Sequence, residues 1–287
     1  MSYVNAVLLA LSVALSACRN IFSKGIAGFP FGSKSFYYAQ AVIFLFGTVT
    51  LAVFGGGTVV SASALTIFYA FIYAVLLIYA QWCYTAALKN GNTAICSTVY
   101  SMGFIFPTLS GALFWEERLT IFRICGILAV IPAVVVSGMR NKAGGTHENY
   151  ILPLVLAMLS SGGLGVMQKV QQSSPYAEQK SVFVLIAFAA AGLISLIFAA
   201  SSKNLGKKMS RKKLLMSQGA GVCFGGCNLL NTTLAGRLDS AVFFPLQNIS
   251  VILLSMALGV CIFKEKPGKK EFIVLLLGVA AVIFLSV

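Results

Sequence analysis

Long apolar runs are the feature that most constrains this chain, since each run is long enough to cross a lipid bilayer as a helix. A spanning helix needs about 20 mostly apolar residues. Membrane strands are not expected, because a barrel strand alternates in polarity over about 10 residues, whereas these runs are continuously apolar. The sequence predicts an all-α integral membrane protein with ten transmembrane helices, at residues 3–27, 33–54, 64–88, 92–114, 119–138, 150–172, 181–201, 214–234, 239–263 and 270–287.

The charge content supports the same interpretation. Of the 287 residues 10% are charged and 59% are hydrophobic, and the mean hydropathy is +0.91. A soluble domain is about a quarter charged, so this chain lacks the polar residues that would cover a water-soluble core. The formal net charge of +14 resides in short gaps between the apolar runs. This distribution argues against nucleic acid as a partner and makes the lipid bilayer the expected one.

Matching segments in the two halves of the chain predict an internal repeat. Residues 85–94 align without gaps on residues 232–241, "FWEERL" at 114–119 echoes "IFKEKP" at 262–267, and "FSK" at 22–24 echoes "MQK" at 167–169, all at offsets of 145 to 148 residues. The halves, residues 1–140 and 150–287, would each hold five helices. An odd number inverts the second half relative to the first, an architecture of many secondary transporters whose substrate site lies near the bilayer midplane.

The residues that carry a family resemblance lie at helix ends. "NIFSK" at 20–24 closes the first helix, and a later apolar helix ends in Glu117-Arg118-Leu119-Thr120, with Gly126 following. The second half carries Glu265-Lys266-Pro267-Gly268 at the equivalent place. This pattern resembles the EamA-type transporters of the drug/metabolite transporter superfamily over nearly the whole chain. The resemblance implies ten helices in two inverted repeats and the transport of a small metabolite, without fixing which one.

Arg19 and Asn20 are unusual because they lie deep in the first predicted helix. A charge in the bilayer costs about 2.5–3.5 kcal/mol on insertion scales, so such a residue usually faces a cavity or a partner. Two interpretations stay open: Arg19 binds an anionic or zwitterionic substrate, or its long side chain extends to the headgroups. Lys24, near the helix end, is expected to be an interface anchor.

Other polar side chains in the predicted helices are candidates to line a central cavity. The repeat offset pairs Gln81 with Asn228, Tyr84 with Asn231 and Tyr100 with Gln247, and it places Gln168 at the position of Ser23. The alternative is that these groups only hydrogen-bond one helix to another. The predicted substrate-binding residues are Arg19, Asn20, Gln81, Trp82, Tyr84, Tyr100, Gln168, Asn228, Asn231, Gln247 and Asn248.

Glycines cluster in two of the predicted helices, at Gly162, Gly163 and Gly165 and at Gly219, Gly221, Gly225 and Gly226. Small residues let membrane helices approach closely, so these glycines are expected to serve packing, with a hinge as the alternative. A nucleotide-binding loop is excluded, because no strand precedes either cluster and no Gly-Lys-Ser/Thr follows.

Catalysis has no candidate residues in this sequence. His147 is the single histidine, and no Ser-His-acid set, metal-ligand cluster or carboxylate pair can be assembled. The seven cysteines lie within apolar runs and are expected to be free thiols. We therefore expect no enzyme activity, no bound metal and no cofactor. A membrane-embedded enzyme and a non-transporting membrane subunit remain as alternatives.

The function expected is that of a secondary transporter in a bacterial plasma membrane, moving a small polar metabolite such as an amino acid or a carboxylate by alternating access. No Asp or Glu lies inside the first three or the sixth to eighth predicted helices. Amine or drug efflux, which would use such a carboxylate, is therefore the alternative substrate class. The expected partners are the substrate and the bilayer, with a homodimer left open.

The distribution of cations predicts the orientation. Loops on the face that holds both termini carry Arg118, Arg123, Lys169, Lys180 and Arg237, whereas the loops of the opposite face carry fifteen Lys or Arg residues. Cytoplasmic loops are enriched in Lys and Arg, so both termini are predicted to lie outside.

Overall fold

The computed structural model describes residues 3–55, 62–91, 93–115, 121, 125, 132, 150–238, 240–264, 268–269, 272–273, 276–277, 279–280 and 284. Within these residues the structure is helical and contains no strand. The helices are α1 (Tyr3–Ile26), α2 (Lys34–Phe54), α3 (Ala64–Asn90), α4 (Thr93–Ser101), α5 (Ile105–Phe114), α6 (Ile151–Gln172), α7 (Lys180–Ser201), α8 (Arg211–Ala235) and α9 (Ser240–Phe263).

The all-helical prediction is confirmed for these residues. The predicted helices 119–138 and 270–287 lie largely outside the described residues, so the count of ten stays a prediction. Glu117, Arg118, His147, Glu265 and Lys266 also lie outside them.

Six described segments are long and apolar enough to cross a membrane. They are Tyr3–Ile26, Lys34–Phe54, Ala64–Asn90, Ile151–Gln172, Ala177–Ser201 and Leu246–Phe263. These helices turn large apolar side chains outward, for example Val53, Phe68 and Ile197. The predicted span 214–234 forms part of α8, which is not among the six. Its glycines and amides make it less apolar than its neighbours, and many of its residues are buried inside the bundle.

The helix predicted for residues 92–114 is interrupted, which is a correction. A 3₁₀ turn at Met102–Phe104 separates α4 from α5. Pro107 has no N–H to donate to the carbonyl of Gly103, and its ring crowds that carbonyl, so a regular helix cannot run through this point. The interruption turns Tyr100, Phe104 and Pro107 toward the centre of the bundle.

Serine caps fix where three of the helices begin. Ser33, Ser63 and Ser210 each precede a helix, and each hydroxyl accepts a hydrogen bond from the backbone N–H three residues later. Such a cap satisfies one of the free N–H groups at a helix start. The caps therefore fix where α2, α3 and α8 begin.

The loops meet at two opposite ends of the bundle. At one end the α1–α2 loop touches the α7–α8 loop, where the backbone N–H of Lys34 donates to the carbonyl of Asn204 over 2.7 Å. At the other end Gln179 Oε1 accepts from the backbone N–H of Ser63 over 3.0 Å and from the Thr66 hydroxyl over 2.7 Å. Successive long helices thus run in alternating directions.

Helix contacts follow a paired pattern. Helix α1 packs on α8 as α6 packs on α3, and α2 packs on α8 as α7 packs on α3. Helices α2 and α7 pack on each other, while α1 contacts α9 and α6 contacts the α4–α5 pair. Each contact is retained when α1, α2, α3 and α4–α5 are exchanged with α6, α7, α8 and α9.

Three of the predicted glycine positions bring backbones into direct contact. A Cβ on Gly225 of α8 would lie 2.6 Å from the carbonyl oxygen of Gly47 in α2, and one on Gly221 would lie 2.3 Å from that of Ile43. Between α6 and the 3₁₀ turn, a Cβ on Gly162 would lie 2.5 Å from the Gly103 oxygen. At these positions the close packing predicted from the sequence is confirmed.

Gly225→Ala is expected to lower the free energy of unfolding by about 1–3 kcal/mol, the usual cost of overpacking. The added methyl group would meet backbone of α2, which cannot rotate away. Gly226→Ala is the matched control, since its Cβ would meet only the end of the Leu15 side chain, at 3.0 Å. Thermal unfolding of the two purified variants in detergent measures the difference. Equal midpoints for both would contradict the packing assigned to Gly225.

Candidate functional site

A cavity of about 100 Å³ lies at the centre of the bundle. Five parts of the fold line it: α1, the α4–α5 pair with its 3₁₀ turn, α6, α8 and α9. Among its described lining residues Arg19 is the one with a charge. The predicted residues that line it are Arg19, Asn20, Tyr100, Gln168, Asn228, Asn231, Gln247 and Asn248.

Arg19 lies inside the bundle with 4% of its surface exposed. Its Nε and Nη2 atoms donate to Gln81 Oε1 over 3.1 and 2.6 Å. The guanidinium carbon lies 4.2 Å from the ring centre of Phe224, 5.1 Å from that of Tyr100 and 5.3 Å from that of Tyr84. Aromatic faces stabilise a cation by roughly 0.5–2 kcal/mol each. The guanidinium therefore points to the protein interior and not to the headgroup level.

The charge of Arg19 has no carboxylate beside it in the described part of the chain. Glu178 is the one acidic residue among the described residues, and it lies in a surface turn at one end of the bundle. The partner of the guanidinium is a neutral amide oxygen. The cavity wall at Arg19 therefore keeps a positive potential.

Gln81 holds Arg19 from behind and is not among the residues that line the cavity. Its amide nitrogen donates to Ser23 Oγ over 3.3 Å and to Thr85 Oγ1 over 3.2 Å. These bonds fix which end of the amide faces Arg19, so the oxygen is the atom presented to the guanidinium. Gln81 is a positioning residue in this structure rather than a lining one.

Gln168 and Asn228 share a hydrogen-bond network with Tyr73. The Tyr73 hydroxyl donates to Asn228 Oδ1 over 2.6 Å and accepts from Gln168 Nε2 over 2.7 Å. Asn228 Nδ2 donates to the carbonyl of Phe224 over 2.9 Å. This Tyr73 network joins α3, α6 and α8 at one wall of the cavity.

Asn231 and Gln247 form a second network, in which Ser12 takes part. Gln247 Nε2 donates to Asn231 Oδ1 over 3.1 Å and to Ser12 Oγ over 3.4 Å, and the Ser12 hydroxyl donates to the same Asn231 oxygen. This Ser12 network joins α1, α8 and α9. Asn248 donates instead to the Phe244 carbonyl of its own helix over 2.7 Å.

Asn20 is buried to 2% exposure and uses only part of its hydrogen-bonding capacity. Its Nδ2 atom donates to Ser255 Oγ over 3.0 Å. Its Oδ1 atom is buried and has no hydrogen-bond partner among the described residues. An unsatisfied buried acceptor costs about 1–3 kcal/mol, so a donor placed against this oxygen would be favoured.

Besides Gln81, two further predicted site residues do not line the cavity. Trp82 packs against Tyr37, with ring centres 4.8 Å apart, and against Phe198, at 5.3 Å. Tyr84 lies behind Arg19, where its hydroxyl is 3.2 Å from Ser97 Oγ. Both residues belong to α3, none of whose residues lines the cavity.

Sequence reasoning missed several polar residues of the centre. Ser16, Ser101 and Ser161 line the cavity, while Tyr73, Ser12 and Ser255 bind the predicted amides from outside it. Serine and tyrosine are common in apolar helices, so residue type gave no signal. The signal that existed was spacing, since Ser12, Ser16, Arg19 and Ser23 recur on one face of α1.

A second cavity, of about 420 Å³, lies near the end of α3 and the start of α6. It is larger than the central one, but its lining, which includes Phe29, Phe31, Leu152 and Leu156, is mostly apolar and contains none of the predicted site residues. Among the described residues no group of three His, Cys, Asp or Glu side chains is arranged to hold a metal. The cysteines are free thiols, as expected.

Tyr73→Phe is expected to lower the free energy of unfolding by about 1 kcal/mol, a usual size for a hydrogen bond between membrane helices. The change removes the hydroxyl that joins Gln168 to Asn228. Tyr79→Phe is the matched control, because Tyr79 lies on the same helix with 55% of its surface exposed. Unfolding in detergent followed by circular dichroism compares them. A loss as large for Tyr79→Phe would contradict a role of the Tyr73 network.

Comparisons with known proteins bear on the fold and the family. A solved structure titled "Crystal structure of protein" has a TM-score of 0.68 to this fold at 17% sequence identity, covering 99% of this chain and 96% of that chain. At that identity the likeness concerns the fold alone. No curated protein sequence matches the chain. Residues 149–287 match the EamA-like transporter family. The resemblance expected from the sequence is thus confirmed over residues 149–287, the second half of the chain.

Proposed function

We propose that the protein is a secondary transporter that moves a small carboxylate, with an amino acid as the preferred form, through the central cavity by alternating access. The observation that carries the proposal is the buried guanidinium of Arg19 in the cavity wall, bound to a neutral amide and to no carboxylate of the described chain. A buried cation is costly without a counter-charge. A substrate carboxylate supplies that charge.

The geometry of Arg19 favours a carboxylate as the anion. The guanidinium carries five N–H donors in a planar fork that matches two carboxylate oxygens. Gln81 Oε1 occupies the Nε and Nη2 donors, which leaves Nη1 and part of Nη2 for a substrate. The aromatic rings of Tyr84, Tyr100 and Phe224 hold the plane of the fork in place.

The amides of the cavity favour a substrate with a hydrogen-bond donor beside its carboxylate. Asn20 Oδ1 is a buried acceptor without a described partner and belongs to the residue that follows Arg19. The amino group of an amino acid would donate to such an oxygen. Arg19 and Asn20 both line the cavity, so a small amino acid held there could bind Arg19 through its carboxylate and Asn20 through its amine.

The size of the cavity favours a small substrate. Pockets for drug-sized ligands span about 300–1,000 Å³, whereas this cavity measures about 100 Å³. Amine or drug efflux would also require a negative group to hold the cation, and the described lining residues include none. Both points favour a small amino acid or carboxylate over a cationic drug.

The paired helix contacts support two inverted repeats, residues 1–140 and 150–287, as the basis of alternating access. The most extensive contacts of the first-half helices have counterparts when the halves are exchanged. Helices α1 and α6 both line the cavity, as do α4–α5 and α9. A site formed between two such halves can open to either side in turn as packed groups of helices rock against each other.

The proposed location is the plasma membrane of a bacterium, with both termini outside. Support comes from the excess of Lys and Arg at the end of the bundle that holds residues 202–213, since positive charge accumulates on the cytoplasmic side. A C-terminal reporter that is active on one side of the membrane tests this orientation.

Binding of three size-matched probes tests the substrate class. Alanine carries a carboxylate and an amine, propionate lacks the amine and ethylamine lacks the carboxylate. We expect alanine to stabilise the purified protein most, propionate less and ethylamine not at all. Thermal unfolding with each probe, followed by uptake of labelled alanine into proteoliposomes, gives the readout. Stabilisation by ethylamine alone would favour amine efflux, and no uptake of any probe would contradict the proposal.

Arg19→Gln is expected to weaken alanine and propionate binding about 10- to 100-fold, the loss of one hydrogen bond to a charged group. Arg19→Lys keeps the charge without the planar fork, so its affinity for both probes should lie between those of wild type and Arg19→Gln. Lys169→Gln is the control, since Lys169 lies near Trp115, 5.6 Å from its ring centre, and outside the cavity. Unchanged binding by a folded Arg19→Gln variant would remove Arg19 from the site.

A further inference from the structure

The α7–α8 loop is an ordered structure bound to the α1–α2 loop. The Ser35 hydroxyl donates to the carbonyls of Leu205 and Lys207, and the Ser202 hydroxyl donates to the carbonyl of Gly32 over 2.9 Å. Gly206 has φ +66°, and a Cβ there would lie 2.7 Å from Ser33 Cβ. The backbone of the loop is therefore held against the α1–α2 loop, which keeps the residues it carries at one end of the bundle.

This ordered loop carries a dense positive charge. The surface formed by residues 31–35 and 202–213, here named the cationic loop surface, contains no acidic residue in its sequence. All of its cations are exposed except Lys213, which is half-buried. They are Lys34, Lys203, Lys207, Lys208, Arg211, Lys212 and Lys213.

Lys213 is the cation that the fold positions most firmly. Its Nζ atom lies 3.9 Å from the ring centre of Phe29. It follows the Ser210 cap, before the predicted membrane span that begins at residue 214. Partial burial and the nearby charge of Lys207 both lower the pKa of Lys213. The two charges therefore repel each other, and an anion bound by both would relieve that repulsion.

Two large apolar side chains stand exposed among these charges. Phe31 has 57% of its surface exposed and Leu205 has 71%. Exposing these two side chains to water costs roughly 25 cal/mol of free energy per Å² of apolar surface. Cations mixed with exposed apolar side chains are typical of protein surfaces that lie at the headgroup level of a membrane.

We propose that the cationic loop surface binds the headgroup of an anionic phospholipid from the adjoining leaflet, with Lys207 and Lys213 on the phosphate and with Phe31 and Leu205 against the acyl chains. The apolar pair favours a lipid over a free phosphate ion, since an ion would leave both side chains in water. The site lies at one end of the bundle and is separate from the central cavity.

Lipid retention by the purified full-length protein tests this site. The protein is equilibrated in micelles that contain equal amounts of phosphatidylglycerol and phosphatidylcholine, and bound lipids are counted by native mass spectrometry. Wild type should retain phosphatidylglycerol in preference. Each neutralised lysine should reduce that preference about fivefold, so the double variant Lys207→Gln/Lys213→Gln should lose most of it. Raising salt toward 1 M should also weaken it, because screening then acts over about 3 Å.

Lys180→Gln is the matched control, because Lys180 is another half-buried lysine but lies at the opposite end of the bundle. Lys180→Gln should prefer phosphatidylglycerol as strongly as wild type does. The proposal would be overturned if wild type retained the two lipids equally. It would also be overturned if Lys180→Gln lost as much of the preference for phosphatidylglycerol as Lys207→Gln/Lys213→Gln. If inorganic phosphate stabilised the protein against unfolding as much as phosphatidylglycerol does, the ligand of this surface would be a free anion and not a lipid.

Two further variants keep the test decisive where the double variant does not fold. Lys207→Gln alone alters an exposed side chain and should reduce the preference about fivefold. Leu205→Ser removes one apolar contact without changing charge and should reduce retention of both lipids at this site. A preference unaffected by Lys207→Gln would also overturn the assignment. None of these measurements depends on transport, so failure here leaves the transport proposal standing, and the reverse also holds.

Discussion

A guanidinium buried between α1 and α3 is the constraint on which the centre of this structure depends. Arg19 lies where a charge is expensive, and the fold compensates it with one amide oxygen and three aromatic faces. These groups attract the cation without cancelling its charge. A carboxylate in place of Gln81 would have neutralised the site and left nothing to attract an anion. The neutral partner therefore turns a buried charge into a receptor for substrate, on the function proposed here.

Helix α8 connects the polar centre with the apolar frame. One side of it meets α2 through Gly221 and Gly225, where backbones touch. The other side carries Asn228 into the Tyr73 network and Asn231 into the Ser12 network. A helix with bulky apolar residues in place of the glycines could not approach α2, and its amides would then be displaced from the cavity. The low hydropathy of α8 follows from this double role.

The sequence was sufficient for the helical fold class and for most of the described long helices, though not for the break at Met102–Phe104, and it placed part of the candidate site. The physical reasons differ. Continuous apolar runs identify helices because the bilayer permits few other structures. Deep polar residues such as Arg19, Gln168 and Asn228 could be found because they are costly unless they face a cavity or a partner. Trp82 could not be placed, since the repeat offset identifies its position along α3 but not which neighbour covers its face. Tyr73 was missed because its polarity lies in one distal hydroxyl, which only tertiary contacts bring to Gln168.

The same contacts bear on how the helices would move in the alternating access proposed above. The glycine contacts between α2 and α8 join backbone to backbone, and sliding there would create clashes within a fraction of an ångström. The amide networks are different, because their hydrogen bonds can be exchanged for bonds to water or substrate at small net cost. Since α2 belongs to the first half and α8 to the second, each moving unit should combine helices of both halves: α2 and α8 should move together, and the bond between Tyr73 of α3 and Asn228 of α8 should break. A substrate that binds the freed amides would then favour the transition, so the groups that recognise it would also be the groups that let the moving units separate.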